Sequence, residues 1–309
     1  MDTTYDTIII GAGAAGLSAG IYAGRYGMKT LILSQELGGE TLQAGLIENW
    51  PGDKEVEGYK LVSRFRDHAI ASGAEIVTGS VVSAEHDGDV FRVMTKKGDN
   101  FIGKTLILAQ GSRRRRLGLP NEDVLTGKGV HYCMTCDGPV YGGKEIAVVG
   151  GGDASIKGVL LAAQYASRIF VIVRGKELRA EPTNVEQMMA LGDKVTVLYE
   201  TEVKEIIGTD KLEKVVLSRP YNDSTELSVE GLFIEIGAEP DTDIAKTLGV
   251  ELDEYGYVKT DCMMKTNIPS VLAAGDIVNH FGHFKQVITA SATGTAAATA
   301  AFEYIKNKK

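Results

Sequence analysis

The sequence is poor in cysteine, with three among 309 residues. An odd and low count excludes the disulfide-rich scaffold of small secreted domains. Positive charge is also in short supply, because 33 Lys and Arg stand against 41 Asp and Glu, which gives a formal net charge of −8. Since phosphate backbones are held by an excess of Lys and Arg, we expect no nucleic-acid partner.

Long apolar runs are missing as well. The first apolar stretch, residues 7–10, ends in glycines, and no run approaches the roughly 20 apolar residues that a membrane span needs. Residues 1–5 carry no basic region followed by an apolar core, so we expect no targeting segment. These observations lead us to expect a cytoplasmic protein with no membrane partner.

Glycine, by contrast, is frequent, at 37 residues, and it marks two strand–turn–helix units. The units are the strand 5–10 with a glycine turn at 11–16 and a helix to Tyr26, and the strand 145–149 with a turn at 150–155 and a helix to Tyr165. An apolar strand follows each helix, at 30–33 and at 169–173. The repetition, about 140 residues apart, predicts an α/β protein with two Rossmann-like dinucleotide-binding domains.

Two polar stretches indicate where these domains meet. Residues 112–123 contain four consecutive arginines, and residues 237–243 contain Pro240. A last strand at 270–274 precedes a long Ala- and Thr-rich helix at 286–305. We therefore predict a discontinuous domain, residues 1–115 and 244–309, into which a domain of residues 116–243 is inserted.

The first turn, Gly11-x-Gly13-x-x-Gly16, predicts a dinucleotide site. Its glycines allow a tight turn and a close approach to a pyrophosphate, and the helix start supplies free N–H groups. The acid that usually binds the ribose is not clear, and Glu36 is a candidate.

The second turn, Gly150-x-Gly152-x-x-Ser155, has serine at its third position, so it is interpreted either as a nucleotide site or as a structural turn. Arg174 and Arg179 follow the next strand. They would either bind a 2′-phosphate, which favours NADP over NAD, or lie solvated on the surface.

Cys133-Met134-Thr135-Cys136 is the clearest chemical signal. Two thiols at this spacing close a disulfide reversibly, and the adjacent Asp137 is placed to exchange a proton with a thiolate. Half of a zinc site is the competing interpretation. It needs two further ligands, and nothing places the compact pair His280 and His283 near the cysteines, so we expect no metal.

Three further features have two interpretations each. His131 either tunes a thiolate or is structural. The run 113–116 is either a solvated linker face or a docking patch for an acidic partner or a coenzyme phosphate. We expect Cys262 to be a packed apolar residue rather than a reactive thiol.

Taken together and in this order, the motifs resemble the low-molecular-weight thioredoxin reductases. The resemblance runs through residues 11–16, Glu48-Asn49-Trp50-Pro51-Gly52, Ala109-Gln110-Gly111, Cys133 to Gly138, Gly150 to Gly152, Ala273-Ala274-Gly275-Asp276 and Lys285-Gln286-Val287.

The resemblance implies FAD in the discontinuous domain and a nicotinamide coenzyme in the inserted one. It assigns Asp276 to the ribityl or pyrophosphate region, and Gln286 and Val287 to the isoalloxazine. The implied FAD-binding residues are Gly11, Gly13, Ala14, Ala15, Gly16, Glu36, Gly39, Glu40, Asn49, Gly111, Gly275, Asp276, Lys285, Gln286 and Val287. The implied NAD(P)H-binding residues are Gly150, Gly152, Asp153, Ala154, Ser155, Arg174 and Arg179.

The resemblance also implies the chemistry. Cys136 would face the flavin, Cys133 would attack the partner's disulfide, and Asp137 would act as acid and base. It implies a homodimer, a large rotation of the inserted domain during turnover, and thioredoxin or a thioredoxin-like protein as partner. On this basis we predict an FAD-dependent thioredoxin-disulfide reductase.

Departures from the family pattern leave the electron donor open. Residues 173–179 lack the histidine and one arginine of the family's NADPH motif, and Ser155, Lys285 and Gln110 replace alanine, arginine and threonine. NADPH, NADH, ferredoxin and a deazaflavin remain possible donors. Two other functions fit parts of the sequence. The altered NADPH motif keeps a related dithiol oxidase open as an alternative, although Arg174 and Arg179 argue against it, and the intact cysteine pair with Asp137 argues against a non-catalytic flavin-binding sensor.

Overall fold

A computed structural model describes residues 4–43, 46–47, 49–282 and 284–308; the side chains of Gln43, Leu46 and Cys136 lie outside the described part. The chain divides into two compact units. Unit 1 combines Met1–Arg113 with Glu239–Lys309, and unit 2 is Arg114–Ala238. The boundaries expected from the sequence lie two residues later at the first crossing and five residues later at the second.

Up to the first crossing, the chain forms most of unit 1. Its elements are β1 (Thr4–Ala12), α1 (Ala14–Arg25), β2 (Thr30–Leu37), α2 (Gly39–Gln43), β3 (Leu46–Ile47), β4 (Val56–Glu57), α3 (Gly58–Ala71), β5 (Glu75–Thr78), β6 (Val81–Asp87), β7 (Val90–Thr95), β8 (Asn100–Leu108) and β9 (Ser112–Arg114).

The chain then forms unit 2. Its elements are α4 (Glu122–Leu125), β10 (Val130–His131), α5 (Met134–Asp137), β11 (Glu145–Val149), α6 (Asp153–Ala162), β12 (Arg168–Ile172), α7 (Pro182–Met189), β13 (Val195–Leu198), β14 (Val203–Gly208), β15 (Leu212–Tyr221), β16 (Ser224–Ser228) and β17 (Gly231–Ile234). Unit 2 also contains short 3₁₀ turns, at Gly138–Tyr141 after α5 and at Gly192–Lys194 after α7.

The last segment returns to unit 1. Its elements are β18 (Ala238–Pro240), α8 (Asp243–Leu248), β19 (Val271–Ala273), a 3₁₀ turn at Gly275–Ile277 and α9 (Val287–Asn307). The short strands β9 and β18 pair where the chain crosses between the units.

The sheet of unit 1 is parallel at its centre, in the order β5-β2-β1-β8. On its other side, β8 pairs with two different strands along its length. The first residues of β8 pair antiparallel with β7, whereas Leu106, Ile107 and Leu108 pair in parallel with β19. The run Ile8–Ile10 of β1 is buried, as expected for a parallel strand that is covered on both faces. The strand order therefore brings the carboxyl ends of β1 and β19 to the same edge of the sheet.

Helices α1 and α9 pack closely because small residues face each other. A Cβ atom on Gly294 would lie 2.1 Å from the carbonyl oxygen of Ala15, so only glycine fits in α9 at this point. Ala297, Ala298 and Ala301 of α9 are buried in the same core. The alanine-rich composition of α9 thus brings the start of this helix close to the first glycine turn.

Unit 2 contains a parallel sheet, in the order β10-β17-β11-β12-β13, and an antiparallel sheet β14-β15-β16. The apolar residues 146–149 pair with residues 169–172 of β12 on one side and with residues 231–234 of β17 on the other. This arrangement confirms the predicted strand at 145–149 and the α/β class of the unit. No helix in the described part of the chain has the length and apolar composition to cross a membrane.

Candidate active site

Unit 1 holds a cavity of about 310 Å³ at the carboxyl edge of its parallel sheet, which lies in the usual size range of about 300–1,000 Å³ for cofactor sites. The first glycine turn, the end of β2 and the start of α9 line it. The lining residues are Gly11, Ala12, Gly13, Ala14, Ala15, Ser34, Glu36, Gly38, Gly39, Glu40, Thr41, Ala109, Gln110, Gly111, Ser112, Gly275, Asp276, Lys285, Gln286, Val287 and Ala290.

The three glycines of the first turn have different roles. Gly11 has φ +112°, and a Cβ atom there would lie 2.2 Å from the carbonyl oxygen of Ala109. Gly16 does not line the cavity; its own Cβ atom would lie 1.9 Å from the carbonyl oxygen of Gly11. Gly13 is different, because the nearest atom to its Cβ position is 3.9 Å away and the residue faces the cavity. Gly11 and Gly16 therefore shape the turn, and Gly13 leaves room for a ligand.

Asp276 and Lys285 are an oppositely charged pair in the wall of the cavity. Burial raises the pKa of Asp276, while the Lys285 ammonium acts in the opposite direction. Burial in turn lowers the pKa of Lys285, against the attraction of Asp276 and Asp253. The Lys285 Nζ atom donates to the Val278 carbonyl and lies 4.3 Å from the centre of the Tyr257 ring. Part of the hydrogen-bonding capacity of Lys285 is thus used within the protein.

Asn49 does not line the cavity itself, but it contacts Gln286, which does. Its Nδ2 atom donates to Oε1 of Gln286 at 2.9 Å. Gln286 is the N-cap of α9 and forms a capping box with Thr289.

The glycine at position 275 has φ +81°, and its N–H donates to Oγ1 of Thr293, also in α9.

Gln110 belongs to the site, although the sequence marks it only as a departure from the family pattern. It lines the cavity, and its Oε1 atom is buried without a hydrogen bond within the described residues. Glu36 lines the cavity too, and β2 continues beyond it to Leu37. A glycine cradle, a helix start and an unpaired buried amide oxygen fit a dinucleotide such as FAD.

The second glycine turn, in unit 2, has similar backbone geometry. Gly150 has φ +139°, and a Cβ atom there would lie 2.3 Å from the Glu235 carbonyl oxygen, whereas the Cβ position of Gly152 is open. The buried Ser155 hydroxyl donates to the Gly152 carbonyl at 2.7 Å. Ser155 therefore stabilises the turn from the protein side.

Three residues that the resemblance assigned to the nicotinamide coenzyme, one acid and two arginines, are used in other contacts or are exposed. The Asp153 carboxylate accepts from the Glu181 N–H at 2.8 Å and from the Asn184 amide, so it is tied to the start of α7. Arg174 and Arg179 are exposed, but the Arg179 N–H donates to the Gly151 carbonyl at 2.7 Å. That bond brings the loop after β12 against the second glycine turn.

The cysteine motif lies at the start of α5 in unit 2. Cys133 is disulfide-bonded and 9% exposed, and its carbonyl accepts from the Asp137 N–H at 3.1 Å. The side chain of Cys136 lies outside the described part of the structure. A Cys133 disulfide is what a reversible dithiol–disulfide centre has in its oxidised state.

His131 contacts the last residue of the motif, an arrangement that the sequence had left open. Its Nδ1 atom lies 3.2 Å from Oδ2 of Asp137, and its Nε2 atom lies 2.7 Å from the Tyr141 hydroxyl. Burial lowers the pKa of His131, against the attraction of Asp137, and burial also raises the pKa of Tyr141. The imidazole therefore connects the acid to a buried phenol.

A buried carboxylate anchors the residue before Cys133. Glu122, 2% exposed, accepts from the Tyr132 hydroxyl at 2.6 Å and from the backbone N–H groups of residues 117–119. Burial and this bond raise the pKa of Tyr132 to about 12. Glu122 thus fixes the chain on the amino-terminal side of the cysteines.

The arginines at 113–116 are mostly held in ion pairs. Arg113 pairs with Asp241 and Asp243, at 3.1 and 2.7 Å. Arg114 lies 3.6 Å from Glu235, and Arg116 pairs with Asp123. The run is therefore bonded to nearby acids as well as partly solvated.

The expectation that Cys262 is packed is wrong, because this residue is exposed and free. The Asp261 carboxylate accepts from the N–H groups of residues 263 and 265, and the turn that results buries Met264. His283, one of the two histidines considered for zinc, lies outside the described residues. Within the described part, no group of three or more His, Cys, Asp or Glu residues is placed to hold a metal ion.

Two dinucleotide-type units and a cysteine motif with an adjacent acid define a disulfide oxidoreductase of the two-domain α/β class. Residues 5–294 match the family described as pyridine nucleotide-disulphide oxidoreductase, and the chain belongs to this family. Membership implies a flavin and a nicotinamide as cofactors.

Three relatives illustrate the similarity. The thioredoxin reductase of Treponema pallidum is 36% identical over 99% of this chain and 98% of its own. The crystal structure of Lactococcus lactis thioredoxin reductase has a TM-score of 0.88 and 33% identity, and covers 98% of this chain and 99% of its own. A ferredoxin-flavin thioredoxin reductase from Clostridium acetobutylicum has a TM-score of 0.53 and 28% identity, with 98% and 99% coverage.

Proposed function

We propose that this protein is an FAD-dependent thioredoxin-disulfide reductase. The observation that carries the proposal is the disulfide-bonded Cys133 in a C-x-x-C motif whose following acid, Asp137, is held by His131. The cavity at the first glycine turn supports FAD as the flavin. Full-length similarity to proteins named thioredoxin reductase supports thioredoxin, or a thioredoxin-like protein, as the partner.

The residues of unit 1 would hold FAD at several points along its length. The open Gly13 position and the N–H groups at the start of α1 suit the pyrophosphate, and Asp276 suits a hydroxyl-bearing part of the cofactor. Gln286 and Val287, at the start of α9, would then lie along the ring system. When bound, the flavin supplies the two-electron chemistry that links a nicotinamide to a disulfide.

The residues of unit 2 would carry out the thiol chemistry. Overall, one reduced nicotinamide and one proton convert one disulfide into two thiols. The role proposed for Cys133 is attack on the partner's disulfide, an exchange that passes through a mixed disulfide, and Cys136 would face the flavin. Asp137 would exchange the proton with the reacting thiols.

The donor that we favour is NADPH, bound at Gly150, Gly152, Asp153, Ala154 and Ser155, with its 2′-phosphate near Arg174 and Arg179. The bond between the Arg179 N–H and the Gly151 carbonyl supports this choice, because it brings the loop that carries both arginines to the turn. A homodimer and a cytoplasmic location are also part of the proposal.

The first test is an anaerobic absorbance titration of the FAD-loaded protein with NADPH and then with NADH. Rapid bleaching of the flavin by NADPH is expected.

The companion test replaces Cys133 or Cys136 with serine, which should abolish thioredoxin reduction and leave FAD bound. Full thioredoxin reduction by either variant would contradict the proposed function.

A second candidate donor is a ferredoxin. The relative from Clostridium acetobutylicum favours it, since its name states that donor and its similarity covers both chains almost completely. Bleaching by reduced ferredoxin, without bleaching by either nicotinamide, would support this candidate and leave the thiol chemistry unchanged; dithionite serves as the control that the flavin can be reduced.

A further inference from the structure

The side chain of Asp137 is 41% exposed, so its position in the protein depends on what holds it. An acid that exchanges a proton with a thiol must lie within hydrogen-bond reach in a fixed orientation. Among the described contacts of this carboxyl, the close polar one is with His131, at 3.2 Å. His131 is therefore the group to consider for the orientation of Asp137.

The His131 ring is itself fixed by its surroundings. Strand register pairs His131 of β10 with Phe233 of β17. The two rings stack with centroids 5.2 Å apart and an angle of 24° between their planes. The side chain of His131 is 8% exposed, and its far nitrogen contacts the Tyr141 hydroxyl. The imidazole can hardly turn without breaking one of these contacts.

The two polar contacts determine where the proton of the ring lies. An ionised carboxylate only accepts hydrogen bonds, so Nδ1 must carry the proton that faces Asp137. Burial favours the neutral ring, and the Nε2 atom of a neutral ring with Nδ1 protonated accepts a hydrogen bond. The Tyr141 hydroxyl therefore donates to Nε2 and stabilises this tautomer.

We propose that His131, held in one tautomer by Tyr141, is a positioning residue that orients the Asp137 carboxyl for proton exchange with the cysteine pair. The proposal rests on the proposed function. When the dithiol reduces a partner disulfide, two electrons and two protons pass to the partner as the enzyme disulfide closes. Asp137 takes up the proton of each attacking cysteine thiol and passes it to the thiolate that departs, and His131 keeps its own Nδ1 proton throughout.

The ionisable groups around the ring are few in the described part of unit 2. Asp137 of α5 and Tyr141 of the 3₁₀ turn face His131 directly, and Phe233 of β17 adds no charge. The Lys144 Nζ atom lies 5.1 Å from the centre of the Tyr141 ring, and Glu230 contributes to the raised pKa of Tyr141. A pH profile of this site therefore reports on five ionisable side chains together, His131 and these four neighbours.

The test compares two small disulfides that differ in the thiol they release. FAD-loaded enzyme, reduced with dithionite, is mixed with 5,5′-dithiobis(2-nitrobenzoate), whose aromatic thiolate leaves without a proton, or with hydroxyethyl disulfide, whose thiolate needs one. His131→Phe keeps the ring stack and removes both nitrogens. It should slow the hydroxyethyl disulfide reaction about tenfold and leave the aromatic one within about twofold.

Three further variants make the test specific. His131→Asn keeps an N–H donor and should recover the rate to within about threefold of wild type, and Tyr141→Phe should fall between the two. Asp137→Asn removes the acid that His131 orients, so it should slow the hydroxyethyl disulfide reaction at least as much as His131→Phe, and adding His131→Phe to Asp137→Asn should cost nothing more. His86→Phe, which changes another histidine that contacts a ring, in unit 1, is the control.

Equal slowing of both disulfides by His131→Phe, or losses that multiply when it is combined with Asp137→Asn, would overturn the proposal. These single-turnover reactions need neither a nicotinamide nor thioredoxin. A wild-type enzyme that fails to reduce thioredoxin would therefore contradict the proposed function alone, and the comparison of variants would still decide the role of His131.

Discussion

Asn49 and Gln286 lie 237 positions apart in the sequence, and the amide of Asn49 donates a 2.9 Å hydrogen bond to the side-chain oxygen of Gln286. Gln286 is also the N-cap of α9. A segment that precedes α3 is thus bonded to the start of the last helix, on the wall of the cavity.

This bond should appear as an energetic coupling. Asn49→Ala and Gln286→Ala are each expected to lower the free energy of unfolding of the apoprotein by about 1 kcal/mol, since each removes a hydrogen bond and the second also removes a cap. Together they should cost less than the sum, by about 0.5–1 kcal/mol. Urea denaturation measures all three. As a control, Asn100→Ala, which loses only an exposed bond to Gly98, should be additive with Gln286→Ala.

The glycines of the first turn should separate folding from binding. Gly16→Ala forces a Cβ atom against the Gly11 carbonyl and should destabilise the apoprotein by about 1–3 kcal/mol. Gly13→Ala meets no atom within 3.8 Å, so it should leave apoprotein stability nearly unchanged and weaken flavin binding. Thermal melts and a flavin-fluorescence titration distinguish these outcomes. Equal loss of stability in both variants would contradict the assignment.

Asp276 should destabilise the apoprotein at neutral pH. Its pKa is raised in the folded state, so the folded protein binds the proton more tightly than the unfolded chain. The stability that this proton contributes is fully present below pH 3.8, the ordinary pKa of an aspartate. It is lost as the pH rises through the higher pKa that Asp276 has in the folded protein. Asp276→Asn is therefore expected to raise the apoprotein Tm at pH 7 and to weaken FAD binding.

The pH dependence provides the check on Asp276. The gain in Tm for Asp276→Asn should shrink as the pH is lowered through the raised folded-state pKa, because a growing fraction of wild-type Asp276 then carries its proton. Asp87→Asn, at an exposed position in unit 1, is the matched control. A difference in Tm that stays constant between pH 4 and pH 8 would contradict a raised pKa as its cause.

The exposed arginines of unit 2 should decide coenzyme choice. If the 2′-phosphate lies beside them, Arg174→Ala and Arg179→Ala should each raise the KM for NADPH about tenfold or more and change the KM for NADH little, because charged hydrogen bonds are lost only with NADPH. Steady-state kinetics with both coenzymes measure this. Lys214→Ala, which removes a cation from the antiparallel sheet, should affect neither coenzyme.

Much of the fold could be predicted from the sequence because its signals are local. Apolar runs bounded by glycine turns gave the strands at 145–149 and 169–173, of which the first matches the structure and the second begins and ends one residue earlier. Small residues predicted the long last helix, which ends two residues later than expected. Helix ends were less certain, since α6 stops at Ala162 rather than Tyr165.

Most of the residues that line the cavity could be named from the sequence, the first glycine turn from its own pattern and most of the others only through the family resemblance. Gln110 was not assigned to the site, because no local pattern tells that its side-chain oxygen is buried beside the cavity without a partner. Cys262 was misjudged for a similar reason. Its exposure depends on the hydrogen bonds of Asp261, which turn Met264 inward in its place.

The sequence by itself determined the two glycine turns, the cysteine pair and the acid that follows it, because each is a short pattern with its own backbone or chemical requirement. Only the tertiary structure decided that His131 stands between Asp137 and Tyr141. That arrangement depends on the pairing of β10 with β17, about 100 residues further along the chain, which stacks Phe233 on the imidazole. A contact between side chains of distant segments is set by strand register, and register is a property of the folded sheet.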